Sequence, residues 1–170
     1  GDFKQSPKPS ITVRSTEIEL GIENFMLSLG ALLGIIDTDP KFSFMPPFIR
    51  YLSEVAFIQI GDASITGIPG ELYPEIAVGG IENPIGADYV IAPQEVPHLL
   101  IKFSDKLNLM LNLANDSIGY IIPKSEWDED APWIYGEKEE TYGEVVSLGP
   151  NTAPVIHENL LELIKESKNK

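Results

Sequence analysis

From Ile11 to Leu20 the chain sets β-branched residues against polar ones (ITVRSTEIEL), a pattern that predicts a strand. In ENFMLSLGALLG the apolar positions change to helical spacing, with Phe25, Leu29 and Leu32 on one face and Gly34 as the stop. The prolines of DTDPKFSFMPPF predict a loop. Its Phe42, Phe44, Met45 and Phe48 are expected to pack over a core edge, with a lid or a docking surface as alternatives. LSEVAFIQI and ASITGI read as strands joined by a tight hairpin at Gly61-Asp62.

The second of these strands leads into ITGIPGELYPEI, where Gly67, Pro69 and Gly70 precede a carboxylate. A short helix is expected from Glu71, with Pro74 in its first turn, where a missing N–H costs little, and Gly79-Gly80 ending it. Glu71 would then lie near a positive helix end. A long connection follows, HLLIKFSDK closes as a helix, and LNLMLNLA is a strand with Leu107, Leu109, Leu111 and Leu113 on one side. Residues 121–150 are irregular and acidic. The last twenty form an amphipathic helix with Ile156, Leu160, Leu163 and Ile164 inward. No repeat or second core interrupts the pattern, which predicts a mixed α/β fold, a layered β-sheet with flanking helices.

Composition narrows the chemistry. Twelve Lys and Arg against 26 Asp and Glu give a net charge of −14, and the only arginines are Arg14 and Arg50. With no basic stripe to neutralise phosphates, nucleic acid is not an expected partner, and anionic membrane surfaces are disfavoured by the same field. Zero cysteines remove disulfides, thiolate zinc sites and cysteine nucleophiles together. No run of 18 apolar residues occurs, and GDFKQSPKPS lacks the apolar core of a signal peptide, so the compartment stays open. The absence of an initiator Met suggests a processed, cloned or cleaved N-terminus.

Glu71 and Tyr120 both follow strand–glycine turns, where backbone can approach a ligand closely. The pattern alone leaves two readings: one shared site, or a helix-starting cap and a packed aromatic. His98 and His157 are the only histidines and have neither HxH nor HExxH spacing; His157 reads as surface and His98 opens an apolar run. GDASITGIPGE lacks the Gly-Lys-Ser/Thr ending of a phosphate loop, and Asp128-Glu129-Asp130 reads as a solvated charge run. Asn115-Asp116-Ser117 matches a glycosylation sequon.

Three motifs in order, IPGE after a hairpin, LANDSIGY after an apolar strand and YGEVVSLGPNTAP before the final helix, resemble the neutral/alkaline non-lysosomal ceramidase family and its bacterial relatives. The likeness runs from about Ile11 onward. It implies that residues 11–170 are the C-terminal portion of a larger catalytic domain; residues 1–10, polar and proline-bearing, read as a flexible lead. It further implies a zinc amidase whose metal is held by two histidines from an upstream segment together with Glu71 and Tyr120. Tyr142 would assist the polarised amide oxygen, with Tyr135 competing for that role across an acidic insertion. Ser117 departs from the family pattern at a position that is often tyrosine. The implied substrate is an N-acyl amide or lipid-like molecule attacked by a metal-activated water, and the implied partner is the upstream N-terminal half; the compartment stays open, secretion of the full-length protein included. The competing expectation is a non-catalytic binding or assembly module that keeps the scaffold.

Overall fold

The computed structural model describes residues 8–36, 40–103, 107–139 and 141–167. Of the lead expected over residues 1–10, residues 1–7 lie outside the described residues, while the Ser10 carbonyl accepts the Gly61 N–H at 3.0 Å. Among the described residues are seven strands and four α-helices: β1 (Ile11–Gly21), α1 (Phe25–Leu32), β2 (Lys41–Phe42), β3 (Ile49–Ile60), β4 (Ala63–Gly67), β5 (Glu71–Leu72), α2 (Pro74–Val78), β6 (Leu107–Leu111), β7 (Tyr120–Ile121), α3 (Tyr142–Val145) and α4 (Thr152–Ser167). A five-stranded sheet runs β1-β3-β4-β6 with β2 beside the start of β3, and β5 and β7 form a separate parallel pair. The fold is mixed α and β, a layered mixed sheet flanked by helices, as the alternating pattern predicts.

Directly paired side chains share a face. Register therefore builds rows across the sheet. On one face lie Thr12, Gln59, Ser64 and Asn108, then Arg14, Phe57, Thr66 and Met110. On the other lie Ile11, Ile60, Ala63 and Leu107, then Val13, Ile58, Ile65 and Leu109. Helix α4 packs across β1 and β3, burying Ile156, Leu160, Leu163 and Ile164 in the core with Val55 and Phe57. Each such side chain contributes about 1.5–3 kcal/mol on leaving water. Arg14 closes the last turn of α4 onto the sheet through Glu166 at 3.2 Å.

Several expectations are corrected. His157 is not a surface residue: it is 4% exposed, and its Nε2 sits 2.9 Å from the Pro97 carbonyl oxygen, because α4 turns that side toward the connection before Leu99. Asn24 caps α1 by accepting the N–H groups of Met26 and Leu27, but the helix buries Gly30 and Ala31 and leaves Phe25, Leu29 and Leu32 exposed. Phe42, Phe44, Met45 and Phe48 are exposed rather than packed, and Lys41–Phe42 pairs as a strand inside the expected loop. The helix expected over residues 98–106 is a single 3-10 turn at Leu99–Lys102, and residues 104–106 lie outside the described residues. Asp128 is buried, with the Ile134 N–H donating to Oδ2 at 3.1 Å, so the charge run is not wholly solvated. Among the described residues no helix is long and apolar enough to cross a membrane.

Candidate functional site

Glu71 does not begin a helix. It stands in β5, opposite Tyr120 of β7 in parallel register, and α2 starts later, at Pro74 behind Tyr73. The glycines ahead of each strand end permit this. A Cβ on Gly70 would collide with the Gly119 carbonyl oxygen, and one on Gly119, at φ +88°, would collide with the Val146 carbonyl. Three chain segments thus close on one another where only hydrogen atoms fit. The Glu71 N–H donates to the Gly119 carbonyl at 2.9 Å, the Tyr73 N–H to that of Ile121 at 3.1 Å, and Ser147 Oγ to that of Tyr120 at 2.7 Å.

The side chains converge as the backbone does. Glu71 faces Tyr120 across the strand pair, and chiefly through its charge, with partial desolvation adding, it raises the phenol above its ordinary pKa. Tyr142 sets its ring edge-on to Tyr120, centroids 6.0 Å apart, and Tyr73 does the same from the other side at 6.1 Å. Tyr73 is pushed up to about 12, first by burial and then by the charge of Glu144. Glu144 is itself buried, accepts the Thr141 hydroxyl and is raised by burial. Tyr135 is elsewhere. Its hydroxyl donates to Glu82 at 2.7 Å, and that bond, more than its slight burial, takes it to about 12.

Glu71, Tyr120 and Tyr142 open onto a cleft of about 470 Å³. Its apolar lining comes from Ile22, Leu27, Ala31, Ile36 and Leu148, of which Leu27 and Ala31 belong to α1. Asp116 and Tyr51 also line it. Asp116 accepts from Tyr51 Oη and Ser53 Oγ, each at 2.8 Å, and from the Ser117 N–H, which fixes the turn that carries β7. Asp116 lies within LANDSIGY and was accessible to a motif reading, whereas Tyr51 reaches the cleft only through its place on β3. Asn115 is exposed and donates to Glu54 Oε1 at 3.1 Å instead of lining the cleft.

As donors, Glu71 and Tyr120 are two hard oxygens on facing positions of one strand pair, a set that suits the oxygen share of a zinc site and no more. His157 is committed to Pro97, His98 lies against Gly79, and neither lines the cleft. Among the described residues no group of three or more His, Cys, Asp or Glu could hold a metal ion. Comparison with protein-family models, with curated proteins and with solved structures gives no match to this chain.

Proposed function

We propose that this chain is the C-terminal portion of a zinc-dependent amide hydrolase of the neutral ceramidase type, acting on N-acyl, lipid-like substrates. One observation carries the reading: Glu71 and Tyr120, register partners on paired strands, line one apolar-walled cleft with Tyr142, whose ring stands edge-on to that of Tyr120. The motifs that suggested the family supply all three residues, and the fold brings all three to one place.

Glu71 and Tyr120 would hold the metal together with two histidines contributed by the upstream half of the protein. Zinc, when bound, supplies Lewis-acid polarisation of the amide carbonyl and lowers the pKa of water. The rest is the work of the chain. Glu71 provides the charge without which two neutral oxygens bind a dication poorly, and it orients the phenol. Tyr120 and Tyr142 would donate hydroxyl groups to the negative charge that develops on the amide oxygen, the kind of donor whose loss costs roughly 10²–10³ in rate. The apolar lining of Ile22, Leu27, Ala31, Ile36 and Leu148 suits an acyl chain, which on binding would displace water from the polar contacts beside it.

Substituting Glu71→Gln in the whole enzyme tests the reading. The amide keeps the volume and one oxygen but not the charge, so zinc occupancy and amidase rate should both fall while the fold persists. Full zinc and full rate would return Glu71 to the role of a turn residue. The isolated chain should retain no tightly held zinc after dialysis; one zinc per chain would overturn the split site.

A further inference from the structure

The face of the five-stranded sheet turned away from α4 is more apolar at one end than the face α4 covers. There, the rows on α4's side carry Thr12, Gln59, Ser64 and Asn108, then Arg14, Phe57, Thr66 and Met110, while the rows of the other face that alternate with them carry aliphatic residues throughout. Ile11 and Val13 are each 65% exposed, Leu107 53% and Leu109 44%. A sheet covered on one side only normally alternates apolar inward with polar outward, and strands apolar on both faces belong to sheets covered on both.

We propose that this outer face docks a second β-sheet, contributed by the upstream half of the same enzyme, so that two sheets pack face to face with α4 on the far side of one. The inference rests on the zinc amidase reading, which needs that half for its histidines. Three features select this occupant. Four strands about 4.8 Å apart, five residues long at about 3.3 Å per residue, give roughly 300 Å² in projection, and the longer β1 and β3 bring it to roughly 500 Å². Side-chain relief raises the accessible area toward the ~800 Å² per partner of a standard interface. The other end of the face carries three carboxylates, Glu17 paired in register with Glu54 and Glu19 lying 3.8 Å from Arg50, against two cations, Arg50 and its register partner Lys41. A second copy would oppose one net charge of −14 with another, whereas a sheet with Lys or Arg at that end is complementary. Finally, β4 and β6 run parallel and lead off the same end of the sheet into Glu71 and Tyr120, so a layer on this face reaches the edge from which the site is built.

The chain has no cysteine, so single thiols report the face cleanly. Leu109→Cys and Val13→Cys, with exposed Glu158→Cys as control, are labelled with a maleimide in the chain alone and in the whole protein translated from its gene with other cysteines replaced. Both outer-face thiols should react at least about tenfold more slowly in the whole protein while the control is unchanged, as expected of side chains buried in a stable interface. Equal rates overturn the proposal. So does a monomer–dimer equilibrium of the chain alone, seen by sedimentation and abolished by Leu109→Arg, which would give the face to a second copy. Zinc content and amidase rate are read on the same samples. Protected thiols without zinc or turnover leave the docking intact and remove the enzyme reading; an active zinc protein with freely reacting thiols does the reverse.

Discussion

The ring of Tyr142 stands edge-on to that of Tyr120, centroids 6.0 Å apart at 78°, and Tyr135, the rival for the same role, bonds to Glu82 instead. Phenylalanine keeps each ring and removes each hydroxyl. In the whole enzyme Tyr120→Phe should lower turnover on N-acyl substrates by roughly 10²–10³-fold with little change in thermal midpoint. Tyr142→Phe should lower turnover without loss of zinc, and Tyr135→Phe should leave both alone. A damaging Tyr135→Phe beside a silent Tyr142→Phe would reverse the assignment.

Gly119 is held by contact and by conformation together. At φ +88° an alanine is strained by about 1–2 kcal/mol before any collision is counted. Its methyl group would also meet the Val146 carbonyl, which is backbone and cannot rotate aside. Gly119→Ala should therefore destabilise the chain by roughly 2–4 kcal/mol in urea unfolding. Gly61→Ala, also at positive φ but with open space around it, should cost only the conformational part.

Asp116 gathers three donors at the cleft floor. Asp116→Ala removes the acceptor facing buried Ser53 and frees the turn before β7, so unfolding of the isolated chain should show a loss of about 1–3 kcal/mol. Wild-type stability in that variant would show that the turn holds without its carboxylate.

The strands and the last helix were legible because their apolar spacing matched what α4 and the inner sheet face bury. The catalytic candidates were legible as motifs, yet their contact was not: Glu71 and Tyr120 meet through a parallel pairing of two-residue strands, too short to leave a periodic signal. Leu107, Leu109 and Leu111 and the Phe25 side of α1 were grouped on single faces by their spacing, and those faces are exposed, since periodicity names a face without saying what covers it. Burial of His157 and Asp128 escaped for a related reason: Pro97 and Ile134, which receive them, are distant or irregular segments.

Acid should stabilise one part of this fold. Glu126 is held above the usual carboxylate range, first by burial, against a bond from the Glu82 N–H, and further by repulsion from Glu75, Glu82 and Glu95. A carboxyl raised in the folded state binds its proton more tightly there than in the unfolded chain. Its contribution is present below the unfolded value near ~4.3 and lost as pH rises through the folded one. Glutamine keeps the acceptor for Glu82 and drops the charge. The thermal midpoint of Glu126→Gln should exceed wild type at about pH 7 and converge with it near pH 4; a constant gap across that range would remove Glu126 as the titrating group.

The clamp formed by Gly70, Gly119 and Val146 also orders events in time. The β3–β4 hairpin joins neighbours in sequence, whereas the clamp waits until β6 has crossed to lie parallel to β4 and residues 142–148 have returned. Contacts between distant segments close late, and those resting on two-residue strands open early. Amide exchange at Glu71 and Tyr73 should thus outpace that of the β1–β3 ladder. A ligand that grips Glu71 and Tyr120 at once ties shut the last contact to form, and so steadies the whole chain from its loosest point.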